Sequence, residues 1–73
     1  MSDLTRPQFV RVMAKQLSER IIPKQTTGKY MSMASVILRE NLRDLNIRYG
    51  DTGYGWKRFD ALDMADYEIE SGV

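Results

Sequence analysis

With 73 residues, no cysteine, no histidine and a net charge of +1, the chain makes one small domain that lacks disulfides and has few ways to hold zinc or iron. No apolar run approaches the roughly 18 residues that a membrane span needs, so we expect no contact with a membrane. The absence of Cys fits a reducing cytoplasm, and we expect a cytoplasmic protein without metal or cofactor. The charge is divided by position, because residues 1–50 have nine Lys and Arg against four Asp and Glu, whereas residues 51–73 have two against six. Such asymmetry favours binding to other macromolecules.

A first helix is predicted to begin at Thr5. Thr5 and Gln8 have the spacing of a capping box, and Pro7 is tolerated in the first turn because its missing N–H would be unpaired there. One helical face is then apolar, with Phe9, Val10, Met13, Ala14, Leu17 and Ile21. Pro23 disfavours helical geometry in the residue before it and is expected to end the helix.

A second helix is predicted to start between Thr27 and Ser32, after a loop. Apolar residues recur three or four positions apart, at Met31, Ala34, Leu38, Leu42, Leu45 and Tyr49. Gly50 is expected to stop this helix. Arg39 and Arg43 face away from the apolar side, which makes them candidates for contacts with a partner.

The next segment is rich in glycine and aromatic residues. Residues 49–56 contain three of each, which indicates a turn-rich stretch. Two structures fit this composition. One is a short β-hairpin around residues 47–58, and the other is irregular chain that packs Tyr54 or Trp56 onto the helices.

The C-terminal segment places apolar residues at loose helical spacing among acids. Either a marginal third helix or a disordered acidic tail would give this pattern. We therefore predict a mainly α protein of two to three helices, with a small helical domain over residues 1–56 and an acidic tail, disordered or marginally helical, over residues 57–73. If the tail is a recognition segment, its apolar anchors are Phe59, Leu62, Met64, Tyr67 and Ile69, and its acids steer it toward a basic surface.

No motif in the sequence supports catalysis. The pair Gly28–Lys29 is not a phosphate loop, because Pro23 and Tyr30 stand where that motif needs a glycine and a Ser or Thr. The C-terminal acids lack the spacing of a calcium loop. No nucleophile stands with a suitable base, so we expect that the protein is not an enzyme.

Candidate partner-binding residues occur in both helices and in the aromatic segment. Six cations are distributed along the first helix and its loop: Arg6, Arg11, Lys15, Arg20, Lys24 and Lys29. They form either an ordinary solvated helix face or a contact strip for nucleic acid or an acidic protein. Since Arg and aromatic side chains are the usual interface hot spots, the candidates are Arg11, Lys15, Arg39, Arg43, Tyr54, Trp56, Lys57, Arg58 and Phe59. Lys57 and Arg58, beside aromatic rings, are also suited to nucleic acid.

Two classes of function fit these features. The first is a protein-binding regulator that alters a larger machine without chemistry. The second is a DNA-binding module, because two helices joined by a glycine-containing turn loosely resemble a helix-turn-helix. The acidic end would be repelled by phosphates, and the connection between the helices is longer than that motif prefers. We therefore expect weak or no direct DNA binding.

A small chain without Cys or His, with a basic helical body and an acidic, aromatic end, resembles the short transcription regulators that lytic phages direct against host RNA polymerase. The resemblance is one of size and overall character, and no residue role is carried over from it. It implies binding to the β and β′ subunits, inhibition of σ-dependent initiation and read-through of terminators. The alternatives are the DNA-binding module and an inhibitor of another host complex.

Overall fold

Three α-helices form the fold. The computed structural model describes residues 3–21, 24–51 and 56–71, and no strand occurs in these ranges. The helices in chain order are α1 (Arg6–Arg20), α2 (Thr27–Leu45) and α3 (Arg58–Glu70). The prediction of a mainly α, small two- to three-helix domain is confirmed, with three helices.

Helix α1 begins with the predicted capping box. The backbone N–H of Thr5 donates to Gln8 Oε1 at 2.9 Å, and the backbone N–H of Gln8 donates to Thr5 Oγ1 at 3.4 Å. Two of the backbone donors near the helix start are therefore satisfied locally. At the other end the N–H of Ile21 still reaches Leu17 O, at 2.9 Å. Pro23, the expected terminator, lies outside the described residues.

Helix α2 ends earlier than the sequence predicted. Its last residue is Leu45, and Asn46 adopts a left-handed conformation with φ 56° and ψ 45°. Asn tolerates that conformation better than most residues, and its N–H bonds the last carbonyls of the helix. Gly50, the predicted stop, has φ 94° and serves a turn beyond the helix. The apolar repeat therefore continued past the true end of α2.

Helix α1 lies between the other two helices. It packs extensively against both α2 and α3, whereas α2 and α3 contact each other little. The core contains residues of all three helices and one loop residue: Phe9, Val10, Met13, Ala14, Leu17, Tyr30, Ala34, Ile37, Leu38, Leu42, Trp56, Ala61 and Ala65. The only core residues from α3 are two alanines, so this helix approaches its neighbours with small side chains.

The C-terminal segment is a helix rather than a disordered tail over residues 58–70. Ala61 and Ala65 are fully buried, and Met64 and Ile69 pack against the core. The acids of α3 occupy exposed or half-buried positions, so their density does not prevent the apolar side from docking.

An aromatic cluster ties the N-terminus to the chain before α3. Phe9 meets Tyr49 and Trp56 edge to face, with ring centroids 5.6 and 6.0 Å apart, and Tyr49 and Trp56 lie 4.1 Å apart. Tyr49 Oη donates to Leu4 O at 2.7 Å, and the Leu4 N–H donates to Trp56 O at 2.7 Å. Burial, with the nearby charge of Asp3, raises the pKa of Tyr49, whereas Arg6 opposes that shift. Tyr49 and Trp56 therefore hold the segment around Leu4 against the helices.

No strand is present in the described parts of residues 47–58, which are 47–51 and 56–58. The middle of the predicted hairpin, residues 52–55, lies outside the described residues. Trp56 instead packs on the helices, as the alternative prediction held, and its Nε1 donates to Asp51 O at 3.1 Å.

Candidate macromolecule-binding surface

A shallow groove, open to solvent, runs along α1 to the start of α3. Its lining combines three cations with one amide and two aliphatic side chains, namely Arg11, Lys15, Arg58, Gln8, Leu4 and Val12. No acidic residue lines it. The fold thus brings three of the predicted partner-binding residues to one place. We call this surface the basic groove.

The positions of its cations follow from the helices. Arg11 and Lys15 are one helical turn apart, so they project from the same side of α1, and both are exposed. Arg58 is the first residue of α3. The start of that helix is fixed by the Lys57 N–H, which donates to Asp60 Oδ2 at 3.0 Å. The hydrogen bond from Leu4 to Trp56 then holds the N-terminal segment beside this helix start.

The charge of the basic groove is not neutralised by the chain itself. Among the described residues, Arg11, Lys15 and Arg58 form no ion pair. Two other cations are engaged, since Arg20 pairs with Asp66 on α3 and Lys57 pairs with Asp3. A cluster of like charges without nearby carboxylates attracts anionic groups from solution.

The floor of the groove is apolar. Leu4 and Val12 are half-buried and pack against the core, so part of each side chain still faces solvent. Gln8 Oε1 accepts the hydrogen bond from the Thr5 N–H in the capping box, and this contact fixes the Gln8 amide at the edge of the groove. The basic groove therefore offers both an apolar contact and cationic groups.

The side chain of Asp66 on α3 bonds to side chains of α1. Its Oδ1 accepts from Gln16 Nε2 and from Arg20 Nη1, each at 2.7 Å. The Gln16 hydrogen bond, followed by that of Arg20, lowers the pKa of Asp66 below its usual value. Arg20 and Asp66 thus connect two helices, so one of the six cations of the predicted strip is already engaged within the molecule.

The remaining predicted residues are dispersed. Arg39 and Arg43 are exposed on α2, and neither lines the basic groove. Arg43 borders a separate depression at the end of α2, together with Leu42, Asn46, Ile47, Arg48 and Asp51. Phe59 is 63% exposed on α3 but does not line the groove. Tyr54 lies outside the described residues.

The structure changes the interpretation of two predicted contacts. Trp56 is only 1% exposed, so it cannot serve as a surface anchor in this conformation, because its ring fills the core beside Phe9 and Tyr49. Lys57 is half-buried and pairs with Asp3, so its charge is already engaged.

Three groove residues were not singled out from the sequence as binding residues. Leu4 stands just before the predicted cap, as in a hydrophobic staple, and Gln8 belongs to the predicted capping box, so both carried a signal for the start of α1 rather than for a surface. Val12 lies off the predicted apolar face of α1. The one sequence signal for its place in the groove was that it is an aliphatic residue between the cations Arg11 and Lys15.

A second groove, between α2 and α3, has a different character. It is mostly apolar and is lined by Lys29, Ser32, Met33, Val36, Ile37, Glu40 and Glu68. Its charged residues have both signs, so it does not indicate the charge of a ligand.

The described residues form neither a metal site nor a helix that could span a membrane. Within residues 3–21, 24–51 and 56–71, no three Asp or Glu side chains converge in a way that could hold a metal ion. No helix in the described part of the chain is both long and apolar enough to cross a membrane. Comparison of the chain with protein families, curated proteins and solved structures found no match.

Proposed function

We propose that this protein is a non-catalytic regulator that binds bacterial RNA polymerase and modulates transcription, by inhibiting σ-dependent initiation and favouring read-through of terminators. The observation that supports binding to a macromolecule is the basic groove, where Arg11, Lys15 and Arg58 are exposed without an ion pair among the described residues. The choice of polymerase rests on the resemblance to phage regulators in size, charge division and lack of catalytic groups.

The mechanism requires only binding. A small protein inhibits when it occupies a surface that σ or a mobile element of the polymerase needs, and it must bind one state of the enzyme more tightly than another. A preference of about 3 kcal/mol shifts such an equilibrium by a factor of roughly 100–200. The accessible surface of the described structure is 5122 Å². A standard interface covers about 800 Å² per partner, which this molecule can provide.

The test is transcription in vitro with purified bacterial holoenzyme on a σ-dependent promoter. We expect the protein to reduce open-complex formation, whereas core polymerase on a tailed template should still start transcription and pass terminators more often. The double variant Arg11→Gln/Lys15→Gln should lose most of this effect. Arg39→Gln/Arg43→Gln removes the same charge from another helix and should keep it.

Two outcomes would contradict the proposal. The first is unchanged open-complex formation and unchanged termination at about a tenfold excess of protein over polymerase, which is ample for any interface tight enough to regulate. The second is equal inhibition of σ-dependent and tailed-template transcription, since that would indicate an effect on elongation or on the template.

A further inference from the structure

We infer that the basic groove is a docking site for an acidic protein segment that carries an aliphatic side chain, and not for nucleic acid. The inference rests on one part of the proposed function, namely that the protein acts by binding another protein. It adds the chemical character of the segment that is bound. It would hold for RNA polymerase or for any other protein partner.

The charge of the groove sets the first requirement. Arg11, Lys15 and Arg58 line it without any acidic neighbour in the lining. The planar guanidinium of Arg can donate two parallel hydrogen bonds to one carboxylate, and Lys adds a compact charge. A segment with two or three Asp or Glu residues therefore complements this surface.

The apolar floor sets the second requirement. Leu4 and Val12 lie in the same lining as the three cations, and both reach into the core. A phosphate backbone has no aliphatic group to cover them. Proteins that bind single strands stack the bases on aromatic rings, and none of the described residues that line this groove is aromatic. A Leu, Ile or Val side chain of a peptide fits the floor better than either form of nucleic acid.

The neighbouring helix adds a third argument. Asp63 and Glu70 are exposed on α3, the helix that contributes Arg58. Proteins that hold duplex DNA by its backbone typically make about 6–10 phosphate contacts, which needs a broad cationic surface. Here three cations stand beside an acidic helix. A short protein segment needs only the groove itself.

The experiment is a titration of ¹⁵N-labelled protein followed by NMR. The probe is the capped peptide Gly-Asp-Glu-Leu-Glu-Asp-Gly, and the matched probe has Gly in place of Leu. We expect shifts of the amide signals of Leu4, Arg11, Val12, Lys15 and Arg58. The Leu peptide should bind about fivefold more tightly than the Gly peptide, which corresponds to about 1 kcal/mol for partial burial of one Leu side chain.

Variants connect the binding to the groove. Arg11→Gln/Lys15→Gln should weaken the Leu peptide about tenfold, as expected when two exposed ion pairs are lost. Arg39→Gln/Arg43→Gln should leave its affinity within about twofold, because these arginines lie elsewhere on the molecule. Circular dichroism confirms that both variants are folded.

Several results would overturn the inference. These are no shifts at about 1 mM peptide, equal affinity for the Leu and Gly peptides, or equal loss in both double variants. Tighter binding of a 12-base-pair duplex than of the Leu peptide at the same salt, with shifts at the groove, would identify a nucleic-acid site instead. These measurements contain no polymerase. If the peptide binds the groove but the protein has no effect on transcription, RNA polymerase is not the partner, whereas the inference about the acidic segment still holds.

Discussion

At the scale of single residues, the carboxylate of Asp66 connects α3 with α1. One of its oxygens accepts hydrogen bonds from two side chains of α1, Gln16 and Arg20. Both contacts favour the ionised carboxylate, which is why the pKa of Asp66 is lowered. The ionisation of this residue is therefore linked to the docking of α3.

The substitution Asp66→Asn tests that link. Because the pKa of Asp66 is lower in the folded chain than in the unfolded one, its contribution to stability is present above the unfolded pKa of about 3.9. That contribution is lost as pH falls through the folded pKa. We expect the variant to be less stable than the wild type at neutral pH and to lose less stability on acidification below about pH 4.

Urea unfolding followed by circular dichroism, repeated at intervals from neutral to acidic pH, measures this difference. The matched control is Asp63→Asn, which removes one charge from an exposed position of α3 without removing a contact with α1. Parallel stability curves for Asp66→Asn and the wild type over the acidic range would contradict the role assigned to Asp66.

At the scale of elements, α3 is the helix whose packing the sequence conceals most. Its two core residues are Ala61 and Ala65, and its other positions are largely acidic or half-buried. Alanine gives little hydrophobic signal, yet it lets a helix approach its neighbour closely. The sequence could not distinguish a third helix from a tail, because the partner surface on α1 exists only in the folded chain.

Enlarging one of these alanines tests the packing of α3. Ala65→Leu keeps a strong helix former but adds volume at a fully buried site. We expect it to destabilise the fold by about 1–3 kcal/mol, measured by urea unfolding. Asp63→Leu, at an exposed position, should change stability by about 0.5 kcal/mol or less. An Ala65→Leu protein as stable as the wild type would mean that α3 does not pack as described.

The other two helices show what sequence patterns can and cannot predict. The start of α1 was predictable, since Thr5, Pro7 and Gln8 act on their immediate neighbours. The end of α2 was not, because the apolar spacing runs on to Tyr49. That ring packs against Phe9 and Trp56 from a turn, so its apolar character reflects the aromatic cluster rather than α2. Periodicity cannot separate these two causes.

At the scale of the whole molecule, folding rearranges the charge that the sequence divides into two parts. Arg20 joins Asp66, and Lys57 joins Asp3, so each pair links the N-terminal region with the C-terminal one. The three cations of the basic groove stay outside these two pairs and lie together in one lining. Arg11 and Lys15 could be predicted as neighbours from their helical spacing, whereas Arg58 joins them only through the tertiary fold.

The most direct test of the central claim, that the basic groove is the binding surface, is equilibrium binding of fluorescently labelled protein to purified RNA polymerase. The comparison includes wild type, Arg11→Gln/Lys15→Gln and Arg39→Gln/Arg43→Gln, all shown to be folded. We predict that the groove variant binds about tenfold more weakly and that the α2 variant stays within about twofold of the wild type. No binding by the wild type, or the same loss in both variants, would contradict the account.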